Sequence, residues 1–128
     1  MQKVWMVGLG GFLGSVSRYL LGSWLGRVKA GWAFPVETLA INVAGCLAIG
    51  VLAGMAEFRG MFSGTTRAFL FVGLLGGFTT FSAYGYETFQ LLRDAHWERA
   101  AWSTALQVVL GIGGAWAGHS IVRLTVAR

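Results

Sequence analysis

The stretch Thr38-Leu39-Ala40-Ile41-Asn42-Val43-Ala44-Gly45-Cys46-Leu47-Ala48-Ile49-Gly50-Val51-Leu52-Ala53-Gly54-Met55-Ala56 holds no charged side chain, and Glu37 and Glu57 bracket it. A helix needs about 20 mostly apolar residues to cross the roughly 30 Å hydrocarbon layer of a bilayer, and this stretch meets that length. Three more stretches do the same. Val4 to Gly26 is interrupted only by Arg18. Ala68 to Tyr86 is uncharged and continues through Glu87 to Leu92, and Ala100 to Val122 carries His119 as its one titratable group. Turn residues and charges collect between them, with Pro35 in the first connector and Gly60 and Gly64 in the second. The spacing predicts one four-helix transmembrane domain over residues 1–128, with spans near 4–26, 36–57, 67–92 and 98–122.

Composition agrees. Of 128 residues 55% are hydrophobic and 12% charged, about half the charged share of a soluble domain. A single cysteine excludes a disulfide framework. The formal net charge of +5 does not point to nucleic acid, because the basic residues stand singly between apolar runs, as membrane-flanking charges do. The first span is expected to be retained, not cleaved as a signal peptide, since its leader has only Lys3 and Arg18 interrupts its apolar core. No run alternates with period two, so a β-barrel is excluded and an all-α membrane protein expected.

Twenty glycines suit helices that approach closely in lipid. Gly10, Gly14, Gly22 and Gly26 share a face of the first span, Ala40, Ala44 and Ala48 repeat in the second beside Gly50 and Gly54, and Gly111, Gly114 and Gly118 follow Ser103 and Gln107 in the fourth. Flanking charge gives no orientation. Lys3, Arg59, Arg67, Arg123 and Arg128 lie on one side, and Arg27, Lys29, Arg93 and Arg99 on the other, joined by Arg18 if it snorkels. A chain without a preferred orientation can insert both ways, and the two forms can pair as an antiparallel, dual-topology homodimer.

Polar groups inside a membrane are costly and mark function by default. Asn42 is the strongly polar residue of the second span, and interhelical hydrogen bonding is its plainer role. The densest signal is Gly76-Gly77-Phe78-Thr79-Thr80-Phe81-Ser82, midway through the third. Paired glycines followed by β-branched threonines weaken a helix. Two outcomes stand open there. One is a break that frees backbone carbonyls as hard oxygen ligands for a cation; the other is a kink in which threonine hydroxyls satisfy carbonyls one turn back.

That block, with Asn42 in Glu37-Thr38-Leu39-Ala40-Ile41-Asn42-Val43-Ala44-Gly45, closely resembles the Fluc (CrcB) fluoride-channel family. The resemblance covers the whole chain, including the Gly-rich, arginine-bearing first span. It implies an antiparallel homodimer with two fluoride pores and a third helix broken in mid-membrane. It further implies a structural sodium ion at the dimer centre, held by carbonyls at positions matching Gly76 and Thr79. The implied pore residues are Asn42, Phe81 and, in place of a usual phenylalanine, Tyr84, with Thr80 and Ser82 beside them. A polar track on the fourth helix falls on Ser103 and Gln107, ending at Gly111, which has no side chain to contribute. Arg18 falls at a vestibule. The resemblance thus implies a passive, multi-pass channel of a bacterial inner membrane that lets fluoride leave the cell.

The chemistry of these residues suits a small, strongly hydrated anion. Ring edges are positive and an amide can donate N–H; both are uncharged partners that allow entry and exit. Tyr84 offers either its ring edge or its O–H. Glu87 would repel an anion unless protonated or hydrogen-bonded. Trp5, Tyr19, Trp24, Trp32 and Trp97 fit interfacial belts, whereas Trp102 and Trp116 are expected to pack in or beside the fourth helix. His119 has no carboxylate or cysteine at metal-ligand spacing, and no nucleophile–base pair suggests an enzyme. The alternative is a small dual-topology multidrug/proton antiporter. Such exporters need a carboxylate deep in the first span, which here has none.

Overall fold

A computed structural model describes residues 1–28 and 34–127. Lys29 and Trp32 of the first connector, and Arg128, lie outside the described residues. The described chain is helical: α1 (Gln2–Val28), α2 (Val36–Phe58), α3 (Gly64–Arg67), a π-helical stretch (Ala68–Leu75), α4 (Gly76–Phe78), α5 (Phe81–Arg93) and α6 (Trp97–Val126). Gly64–Arg93 acts as one span, so four helical segments are long and apolar enough to cross a membrane. Each segment runs past its uncharged core into flanking charged residues, which helices tolerate at the water boundary.

Two pairings organise the bundle. α2 packs chiefly on α6, and α1 on the third span. Both contacts are backbone against backbone. A Cβ placed on Gly14 would strike the Leu74 carbonyl and come within 2.8 Å of the Phe78 amide nitrogen. One on Gly118 would strike the Leu47 carbonyl and lie 2.9 Å from the Val51 nitrogen. Small residues therefore set the interhelical distance, as expected for helices packing in lipid. In α2 the inward face differs from the alanine row: Thr38, Ile41, Gly45, Gly50 and Gly54 are buried while Ala44 is exposed. Gly45 turns in because the Thr79 side chain occupies the space its Cβ would need.

The outer surface is apolar. Trp5, Tyr19, Trp24 and Trp97 are exposed, and so are Trp102 and Trp116, at 65% and 73%. Those last two therefore stand on the outside of the single chain, beside α6. At the far end of the bundle His119 does meet a carboxylate, Glu57 of α2, at 2.9 Å, and stacks at a tilt on Phe58. Sequence spacing within one helix could not display that pair.

Candidate functional site

The third span is cut at its middle. α4 ends at Phe78, Thr79 and Thr80 are extended (φ −86°, ψ 158° and φ −149°, ψ 115°), and α5 starts at Phe81. Two polar side chains make the interruption stable. The amide of Asn42, projecting from α2, brackets Thr80: its Oδ1 accepts from the Thr80 N–H at 2.9 Å, and its Nδ2 donates to the Thr80 carbonyl at 3.1 Å. The side chain thus pairs with Thr80 as a neighbouring strand would. The Thr80 hydroxyl then caps α5 by accepting from the Ala83 N–H at 3.2 Å, a standard N-cap.

These bonds redirect two donors. In an unbroken helix the Thr80 N–H would serve the Gly76 carbonyl, and the Ala83 N–H the Thr79 carbonyl. Here Asn42 Oδ1 and Thr80 Oγ1 receive them instead. The helix is therefore broken, and a threonine hydroxyl satisfies a carbonyl as well, for Thr79 Oγ1 donates to the Leu75 carbonyl one turn back at 2.9 Å.

Thr80 also fixes the next group along. Because its main-chain N–H and C=O leave no freedom in which end of the Asn42 amide faces which, the second N–H of Asn42 points at Gln107 on α6. It donates to Gln107 Oε1 at 3.3 Å. Gln107 must present its oxygen there, which leaves its own two N–H groups for other partners.

A cavity of about 510 Å³ opens beside this network, with Asn42, Gly76, Thr79, Thr80, Phe81, Tyr84 and Gln107 in its wall. Phe81 and Tyr84 stand edge to face, their centroids 5.4 Å apart at 61°. Phe81 is 82% exposed on the single chain, so the cavity has an open side. Arg18 lines a separate depression of about 420 Å³ with Thr38 and, again, Thr80. Ser82 shares a 3.2 Å hydrogen bond with Thr80 Oγ1 but lies outside the cavity wall. Ser103 also lies outside it, 1% exposed, and its hydroxyl has no hydrogen-bond partner among the described residues.

Two contacts add to what sequence reasoning supplied. Thr38 Oγ1 donates to Glu87 Oε1 at 2.6 Å across α2 and α5, which hydrogen-bonds the carboxylate. The Tyr84 hydroxyl bonds Thr104 on α6 at 3.0 Å. Nothing in the spacing of these residues links them; only the packing of α5 against α2 and α6 does. Among the described residues no three His, Cys, Asp or Glu side chains come together to hold a metal ion.

Four apolar spans, a clamped helix break and a cavity lined by Asn42, Phe81, Tyr84 and Gln107 define a small multi-pass membrane protein with a pocket beside its interrupted third span. Residues 5–119 match the family described as "CrcB-like protein, Camphor Resistance (CrcB)". The chain is 43% identical to the "Fluoride-specific ion channel FluC" of Methylobacillus flagellatus over 98% of each chain. It is 41% identical to the protein of the same name from Rhodospirillum centenum, over 99% of this chain and all of that one. Against that of Paracoccus denitrificans the identity is 45%, over 95% and 91%. The chain belongs to the CrcB family.

Proposed function

We propose that the protein is a passive, fluoride-selective channel that exports fluoride from the cytoplasm; its relatives are each named a fluoride-specific ion channel. It is a membrane channel and not an enzyme, in keeping with that family. The observation that carries the proposal is the Asn42–Thr80 clamp, which holds unwound chain beside a cavity walled by Phe81, Tyr84 and Gln107. Irregular backbone at membrane depth is tolerated only where protein encloses it or it lines a cavity. Fluoride entering from the Arg18 side meets a positive charge that raises its local concentration, then weak, uncharged partners. At Asn42 it competes for the N–H given to Gln107, the longest bond of the set at 3.3 Å. Gln107, Phe81 and Tyr84 stand in the same wall.

The open side of the cavity and the exposed Phe81 support assembly as an antiparallel homodimer with two pores, a second copy closing each wall. A structural sodium ion at the dimer centre fits the chain as well. The Gly76 and Thr79 carbonyls, deprived of their helix donors, are hard oxygen ligands suited to an alkali cation. Such an ion would supply fixed positive charge and lock the two breaks together. The multidrug/proton antiporter alternative is not favoured, since α1 carries no Asp or Glu. Electrical recording in planar bilayers tests the proposal: large fluoride currents with little chloride current support it, whereas proton-coupled flux without measurable current contradicts it.

A further inference from the structure

Tyr84 brings a phenol to a wall otherwise made of weak partners, and the direction of its hydrogen bond decides what an ion meets there. Thr104 has one hydroxyl proton, and it goes to the Ala100 carbonyl one turn back on α6, at 2.9 Å. Thr104 Oγ1 has only lone pairs left to offer, so across the 3.0 Å contact the Tyr84 hydroxyl is the donor. Thr104 is outside the cavity wall while Tyr84 is part of it. The phenolic proton is thus directed out of the wall, and the ring keeps its edge-to-face arrangement with Phe81.

Resting on the anion-pore reading above, we propose that Thr104 is a positioning residue of the pore: by accepting the hydrogen bond of the Tyr84 hydroxyl it makes this tyrosine meet an anion through its ring edge alone, as a phenylalanine would. A free phenol O–H would do the opposite. Hydrogen bonds from O–H to an anion are short and about twice as strong as neutral ones, and a conduction site must let go of its ion. Losing Thr104 therefore harms transport by adding a donor, not by removing one.

The test is a cycle of fluoride efflux measurements on purified, reconstituted protein. Thr104→Val keeps the shape and removes the acceptor. It is expected to lower maximal flux at least fivefold and, with it, to lower the fluoride concentration giving half-maximal flux, the signature of an ion held too long. Thr104→Ser restores both values. In the Tyr84→Phe background, Thr104→Val changes flux less than twofold. An equal loss from Thr104→Val in both backgrounds, or a loss of flux with no fall in half-saturating fluoride, overturns the proposal. An independent readout uses protein whose sole tyrosine is Tyr84 (Tyr19→Phe, Tyr86→Phe), with labelled phenol carbon. Its infrared C–O band shifts on Thr104→Val if the bond exists, and an unmoved band also overturns the proposal. Wild-type protein that passes no fluoride refutes the underlying pore reading, and the band distinguishes that result from a missing Tyr84–Thr104 bond.

Discussion

Replacing Asn42 by leucine removes the clamp while keeping the branched shape of the side chain. Two hydrogen bonds to Thr80 vanish, at 2.9 Å and 3.1 Å, and the Gln107 oxygen loses its donor. A net hydrogen bond contributes about 1 kcal/mol, and interhelical side-chain bonds in membranes average nearer ~0.6 kcal/mol. The Thr80 N–H and C=O are also left without partners, which costs about 1–3 kcal/mol each where water is scarce. Taking about 2 kcal/mol as the working figure, the break as built loses roughly thirtyfold in population against competing arrangements. The nearest competitor is a helix in which the Thr80 N–H returns to the Gly76 carbonyl. Asn42→Leu is therefore expected to lower fluoride efflux at least tenfold. It should also change amide hydrogen exchange across residues 76–84, measured by mass spectrometry in nanodiscs. Asn42→Asp keeps an acceptor for the Thr80 N–H but loses both donors, so exchange should move less while efflux still falls. Wild-type efflux together with wild-type exchange in Asn42→Leu would refute the assignment of Asn42 as the residue that holds the break.

Tyr84→Phe is expected to retain fluoride flux in liposomes, whereas Tyr84→Ile, which removes the ring edge, loses most of it; equal flux from both removes Tyr84 from the pore. Gly118→Val places side-chain atoms on the Leu47 carbonyl and should separate α6 from α2. Overpacking costs about 1–3 kcal/mol, read as earlier thermal unfolding followed by fluorescence-detected size exclusion. Withholding sodium during purification and reconstitution should lower the active fraction of channels, with potassium failing to substitute; activity independent of the cation would remove sodium from the account.

Much of the fold was legible because lipid simplifies the code. Charge-free runs of sufficient length announce helices, and all four spans could be located from them. Their ends were less legible: α1 and α6 continue into charged residues, since a helix need not stop where the hydrocarbon does. The glycine rows signalled close approach, yet the alanine row of α2 was not the inward face, because the Thr79 side chain selects Gly45. The π-helical stretch before the break has no evident sequence signal, although Gly73 within it lies against the backbone of Val7 and Gly10. For the candidate site, Gly76-Gly77 and the threonine pair marked where the helix is interrupted. That Asn42 is the clamp, with both N–H groups committed, was not readable from the chain. Neither were the Thr38–Glu87, Tyr84–Thr104 and Glu57–His119 pairs, which join residues on different helices and exist only once those helices pack.

The most direct measurement is fluoride release from liposomes that hold the purified protein and equal internal concentrations of fluoride and chloride, each followed with its own ion-selective electrode. When a potassium ionophore relieves the charge build-up, fluoride should empty within seconds while chloride stays inside. Fluoride release no faster than from protein-free liposomes, or chloride leaving alongside it, contradicts a fluoride-selective pore at the broken third span.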